Sequence, residues 1–172
     1  MKKYLLALCI VILLVIPDQL TKHLAILHLK GTDGITLIGG VLRLYYLENR
    51  GSAFSLFQNQ RTWFIIFTII ILAALFFVYR KIPSAPKMIW LKIALILISA
   101  GAIGNFIDRV IHAYVVDFIY FELINFPIFN VADIYVTGAA FFLIFLVLFV
   151  YKEEDLSFLR KSVPQKDDQR SL

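Results

Sequence analysis

The residues of this chain best placed for chemistry are two aspartates, Asp117 and Asp133. Asp117 stands in Tyr114-Val115-Val116-Asp117-Phe118-Ile119-Tyr120, with no cation adjacent in the sequence. A carboxyl group among apolar side chains is pushed toward its neutral form by desolvation. Asp133 follows Asn130 by three residues at the opening of a long apolar run. If that run is a helix, Asn130 is its N-cap and Asp133 lies in the first turn, where the helix dipole favours the carboxylate. Two carboxyl groups whose surroundings push their protonation apart suit paired acid and base work. Taken singly, each has a plainer reading: Asp133 as a capping residue, and Asp117 as a water-exposed aspartate at a strand edge or interface. The pair carries more information than either member.

Other polar residues gather nearby. Asn105, Asp108 and Arg109 stand at i, i+3 and i+4, so they share one helix face, and Gly101 and Gly104 a turn earlier let a neighbouring helix approach closely. Ionisable side chains at the ends of membrane helices are costly and usually functional. Asp108 is open to two readings, a helix-end ion pair with Arg109 or Lys22 and a share in the chemistry. Asp18 and Lys22 are spaced as a helical ion pair that stabilises a bundle. His23, His28 and His112 lack the spacing of a zinc protease, there is no Gly-x-Ser-x-Gly, and Ser52 and Ser55 have no obvious base. Cys9 is the single cysteine, which excludes a disulfide framework and a cysteine-rich metal site. A divalent metal held by Asp117 and Asp133 stays open as an alternative, against which two carboxylates and an asparagine fall short of a full oxygen shell. No metal and no cofactor are expected.

The composition says what must position these groups. The chain has 172 residues, is 60% hydrophobic and only 17% charged. A soluble domain is about half apolar and about a quarter charged, so the class is an integral membrane protein. The net charge of +5 comes from basic residues beside apolar runs, which are topology signals, and no basic-aromatic groove for nucleic acid is present. Residues 4–26, 62–80, 89–108 and 131–151 read as four transmembrane helices, each near the length of about 20 residues that a span needs. The first resembles a signal peptide but lacks a small-x-small cleavage site, so it is read as uncleaved. Between the first two spans, ITLI and VLRLYYLE flank Gly39-Gly40, the signal of a two-residue β-hairpin turn. Eleven of the 17 lysines and arginines then fall on one side, which places both termini in the cytoplasm and the aspartates toward the outer face. Residues 1–151 are expected to form one membrane-embedded domain, and 152–172 a polar, disordered cytoplasmic tail.

With these residues in view, the sequence resembles the bacterial signal peptidase II family of membrane aspartyl proteases, the lipoprotein signal peptidases. The motifs are DQLTK (18–22), NRGSAF (49–54), GNFIDR (104–109), VVDF (115–118) and FNVAD (129–133), five in the family's order from the first span to the fourth. The resemblance implies a four-helix membrane enzyme with a small extracytoplasmic β-cradle and an amphipathic interfacial segment. It implies cleavage of diacylglyceryl-modified prolipoproteins immediately before the lipidated cysteine. A monomer among membrane lipids is expected, with no nucleic-acid partner. It makes Asp117 and Asp133 the catalytic pair. Asn49, Gly51, Asn105, Arg109 and Asn130 match positions that bind substrate, and Asp18, Lys22 and Asp108 match supporting positions. Ile134 departs from the serine many family members carry, so another group is expected to orient Asp133. The interval from Asp117 to Asp133 is short for the family, so a reduced flap is expected there. Two rival classes remain at this point: a proton- or ion-coupled carrier, against which stand four spans without an internal repeat, and a non-enzymatic scaffold whose polar residues only join helices.

Overall fold

The computed structural model describes residues 2–51 and 61–159. Ser52, Ser55 and the end of the NRGSAF motif lie outside the described residues, as does the chain from residue 160. The helices are α1 (Lys2–Leu29), α2 (Arg61–Lys81), α3 (Ile89–His112) and α4 (Val131–Phe145), the last continuing through a π turn at Leu146–Val150. All four are long and apolar enough to cross a membrane. The strands are β1 (Ile35–Ile38), β2 (Leu42–Asn49) and β3 (Val115–Phe121), in the order β1-β2-β3 and antiparallel throughout.

The helices turn apolar side chains outward and bury a small set of charged and polar ones within an otherwise apolar interior. Along α1 the buried residues are Val11, Asp18, Lys22, Ala25 and Leu29, a stripe spaced by sevens, fours and threes that faces the bundle. Leu13, Leu20 and Leu27 point away from it, exposed as a lipid-facing surface should be. At 28 residues α1 is about 42 Å long, more than the roughly 30 Å of bilayer hydrocarbon, so its last turns reach the sheet. It runs three residues past its predicted end because nothing in HLAILHL stops a helix before the turn at Gly31, which has φ 77°.

α3 packs against each of the other three helices, and its small residues make that possible. A Cβ at Gly101 would lie 2.4 Å from the Ala132 carbonyl oxygen and 2.7 Å from Val136 Cγ2. A Cβ at Gly104 would lie 2.4 Å from the Asp18 carboxylate. Gly101→Ala is therefore expected to push α4 outward at the residue before Asp133. A loss of about 1–3 kcal/mol follows from overpacking, read as a lower melting temperature in detergent together with lower activity. Wild-type values for both would show that α3 and α4 do not meet there.

The hairpin differs from its prediction by one residue. Gly39, Gly40 and Val41 form a three-residue connection, closed by Val41 N–H donating to the Ile38 carbonyl at 3.0 Å, with Gly40 at φ 65°. A left-handed residue near the end of such a loop matches the twist of the flanking strands, and glycine takes it without strain. The segment around Asp117 becomes β3, paired to β2 with Leu47 opposite Asp117 and Asn49 opposite Val115. Val116 and Phe118, on the opposite face of β3, pack with Ala25 and Leu29 of α1. Asp117 is thereby turned away from that apolar cluster, toward α3 and α4.

At the other end of the bundle, residues 153–159 form a 3-10 turn where the polar composition predicts disorder. Two apolar residues override the composition: Leu156 and Phe158 pack against the cluster of Ile82, Met88, Leu91, Leu95, Leu146 and Tyr151. Lys87 pairs with Asp155, and the Tyr151 hydroxyl donates to the Lys87 carbonyl at 3.1 Å.

Candidate active site

Asn130 caps α4, as its spacing from Asp133 predicts. Its side-chain oxygen accepts from Asp133 N–H at 3.1 Å, and its own N–H donates to Asp133 Oδ2 at 3.1 Å, a reciprocal capping box. With its oxygen so occupied, its amide NH2 has one direction left. It donates to Asp117 Oδ1 at 2.6 Å and to Asn105 Oδ1 at 3.1 Å. One fully buried residue thus ties β3 to α4 and one carboxylate to the other.

Each carboxylate has a second donor. Asn49, at the end of β2, donates from Nδ2 to Asp117 Oδ2 at 2.8 Å. Asn105 of α3 donates from Nδ2 to Asp133 Oδ1 at 2.8 Å. Ile134 is half-exposed, and Asn105 supplies the orienting group that the missing serine leaves open. Asp117 is 1% exposed, and its carboxyl is pushed up to about 7. Burial is the largest cause and the nearby charge of Asp133 the next, while the Asn49 and Asn130 amides act the other way. A carboxyl so placed still holds its proton near neutrality.

Behind Asn105 lies a buried charge cluster. The Lys22 ammonium, 2% exposed, contacts Asp18 Oδ2 at 3.0 Å, Asp108 Oδ2 at 3.1 Å and Asn105 Oδ1 at 2.9 Å. Its three protons are matched by three acceptors. Because Lys22 can only donate, it fixes which end of the Asn105 amide faces Asp133. The carboxylates extend the brace: Asp18 Oδ1 accepts from Ala132 N–H at 2.9 Å, and Asp108 Oδ2 from Val116 N–H at 3.0 Å. Each of these amides belongs to the residue just before a site aspartate.

Asp117 and Asp133 both line one cleft of about 1330 Å³, together with Asn49, Gly51, Asn105 and Arg109. Arg109 sits over the Phe64 ring at 4.7 Å and donates to the Gly51 carbonyl at 3.4 Å. The Asn49 side chain receives Gly51 N–H at 3.0 Å, which shapes the turn leaving β2. On the rim, Arg50 and Lys30 converge on Glu48 at 2.8 and 3.0 Å. The Glu48 carboxyl is held down at about 2, first by the hydrogen bond from Lys30 and further by Arg50, against its partial burial. No group of three or more His, Cys, Asp and Glu that could hold a metal exists among the described residues.

Residues 10–149 match the family model described as Signal peptidase (SPase) II. The chain belongs to the signal peptidase II family. It is 44% identical over 138 residues to a lipoprotein signal peptidase of Streptococcus thermophilus (strain CNRZ 1066), covering 80% of this chain and 87% of that protein. A lipoprotein signal peptidase of Streptococcus pyogenes serotype M5 (strain Manfredo) is 41% identical over 155 residues, covering 90% and 98%. Among solved structures, a bacterial membrane enzyme determined in meso at 2.3 Å resolution superposes with TM-score 0.74 and 36% identity, over 90% of this chain and 92% of that one. A second, at 1.9 Å, gives TM-score 0.72 and 37% identity, over 84% and 94%. The protein is thus a multi-pass bacterial membrane protein and a peptidase of this family, which sets aside the carrier and scaffold readings.

In this signal peptidase II, tertiary structure sorts the predicted site residues into two groups. Asn49, Gly51, Asn105, Arg109, Asp117 and Asp133 meet at the cleft. Asn130, matched to a substrate-binding position, is fully buried and behind the cleft wall, where it holds the two carboxylates. Asp108 pairs with Lys22 of the two partners open to it, and Arg109 turns away toward Gly51. Gln19 was not singled out by sequence reasoning. It donates to Asp18 Oδ2, the Gly104 carbonyl and Asp108 Oδ1 at 3.0–3.1 Å. Its signal was a neutral polar residue beside Asp18 inside an apolar run.

Proposed function

We propose that this protein is an aspartyl endopeptidase that removes the signal peptide from diacylglyceryl-modified prolipoproteins, cutting before the lipidated cysteine. Membership of the signal peptidase II family supports the substrate class. The observation that carries the chemistry is the Asp117–Asn130–Asp133 bridge at the wall of one cleft, in which one buried residue holds the Asp117 carboxyl by its side-chain amide and the Asp133 carboxyl by its backbone N–H.

Asp117 holds the proton and Asp133 is the base. Asp133 takes a proton from a water between the pair, and the hydroxyl adds to the scissile carbonyl, which Asp117 polarises through its O–H. On collapse the C–N bond breaks and Asp117 gives its proton to the departing amine. The proton taken up by Asp133 restores the single proton of the pair, which titrates as a unit. Asn49, Gly51, Asn105 and Arg109 position the substrate backbone in the cleft, and Asn130 positions the carboxylates. Both termini lie in the cytoplasm and the site faces outward, as the lysine and arginine distribution supports. The apolar signal helix then enters laterally while the acyl chains stay in lipid. A monomer suffices, since every group named comes from one chain.

The test is cleavage of a purified diacylglyceryl-modified prolipoprotein in detergent with EDTA present, the product identified by mass. Cleavage before the modified cysteine is expected to persist in EDTA. Loss of activity with EDTA would recast the aspartates as metal ligands. No cleavage by folded protein would overturn the reading, and proton flux would be measured next.

A further inference from the structure

The cleft does not end at the two aspartates. It continues along the sheet to Arg43, Tyr45, Tyr120 and Asn125. Arg43 pairs with Tyr120 across β2 and β3, while Leu47 pairs with Asp117, so Arg43 lies three β3 residues beyond the site. At strand spacing that is about 10 Å measured on β3. Measured on β2 from Asn49 it is about 20 Å, less the bulge between Leu44 and Leu47.

Arg43 is held but not neutralised. Its guanidinium sits 5.6 Å from the Tyr45 ring centroid, and Nη2 donates to the backbone carbonyl of Asp33. Among the described residues no carboxylate stands within ion-pair distance of it, whereas Arg50 and Lys30 share Glu48. Its Nε is shut away from solvent with no acceptor. A partly desolvated guanidinium without a carboxylate is where an added one gains most, since the usual competition from water is reduced. Asp33 is exposed at the rim, where solvent screens its own charge.

We propose that Arg43 forms a second subsite, which reads an acidic side chain in the substrate about three to five residues beyond the scissile bond, the reach of an extended peptide from Asp117 to Arg43. This rests on the cleavage reading above. There the apolar segment before the cut stays among the helices in the bilayer, so the segment after the cut is the one that leaves along the sheet. Arg43 is thus a specificity residue, with no part in the chemical step.

Two diacylglyceryl-modified prolipoproteins, alike except for Asp or Lys at the fourth position after the modified cysteine, are offered to wild type, Arg43→Gln and Arg43→Glu. The readout is the ratio of kcat/KM for the two substrates, which a loss of folded enzyme lowers in numerator and denominator alike. Wild type is expected to favour the aspartate substrate by about tenfold, Arg43→Gln to lose the preference and Arg43→Glu to reverse it. The same ratio in all three proteins would overturn the subsite while leaving the peptidase reading intact. Cleavage of neither substrate by folded wild type would overturn the peptidase reading and the subsite with it.

Discussion

Asp117→Asn is expected to lower kcat by about a thousandfold, within the range of about 10²–10⁴ that acid–base catalysis supplies. The same loss is expected for Asp133→Asn, with both proteins still folded. Substrate affinity should change far less, because the cleft contacts assigned to the substrate backbone come from Asn49, Gly51, Asn105 and Arg109. The pH profile separates the two roles. Asp117 works protonated and its carboxyl lies at about 7, so wild-type kcat should fall as pH rises through about 7. Stability follows the same sign. Between the ordinary value of 3.8 and about 7 the folded protein keeps a proton that the unfolded chain has lost. The stabilisation from neutral Asp117 is full below the lower value and is lost as pH rises through the upper one. Melting curves in detergent at pH 5 and pH 8 should therefore diverge more for wild type than for Asp117→Asn. Equal pH profiles in the two variants would contradict the assignment of acid and base.

Lys22→Met should be among the most destabilising single changes in the bundle. It leaves Asp18, Asp108 and Asn105 without their shared donor, with the two carboxylates only 0–3% exposed. Breaking a buried pair by removing one partner costs about 3–5 kcal/mol, because an uncompensated charge stays behind. For a chain of this size that is a fall of about 10 °C in melting temperature. Adding Asp18→Asn to Lys22→Met should recover part of the loss by removing one of the stranded charges, which a simple packing defect would not allow. Activity should not recover with it, since the Asn105 amide that faces Asp133 is no longer fixed. A Lys22→Met protein as stable as wild type would mean that the cluster is not buried as a unit.

Much of this was legible in the sequence because it is local. Four apolar runs of bilayer length identify the spans, since lipid demands backbone hydrogen bonds within each segment. The Asn130–Asp133 capping box needs only a three-residue interval, and the apolar flanks of Asp117 already announce a desolvated carboxyl. The motif order carried the family. What the sequence left open are choices between distant partners. Lys22 and Asn105 are 83 residues apart, and Asp18 and Ala132 are 114 apart, so no local pattern specifies either contact. Only the packing of α1 against α3 and α4 decided that Asp108 pairs with Lys22 and that Asn130 is hidden behind the cleft wall. Only β2–β3 pairing placed Asn49 against Asp117 and carried the cleft on to Arg43. The short turn at residues 153–159 belongs to the same class, because two apolar side chains found a core that their own polar neighbours do not reveal. The chemistry was written in residue types; their orientation had to wait for the burial that removes water as a competing partner.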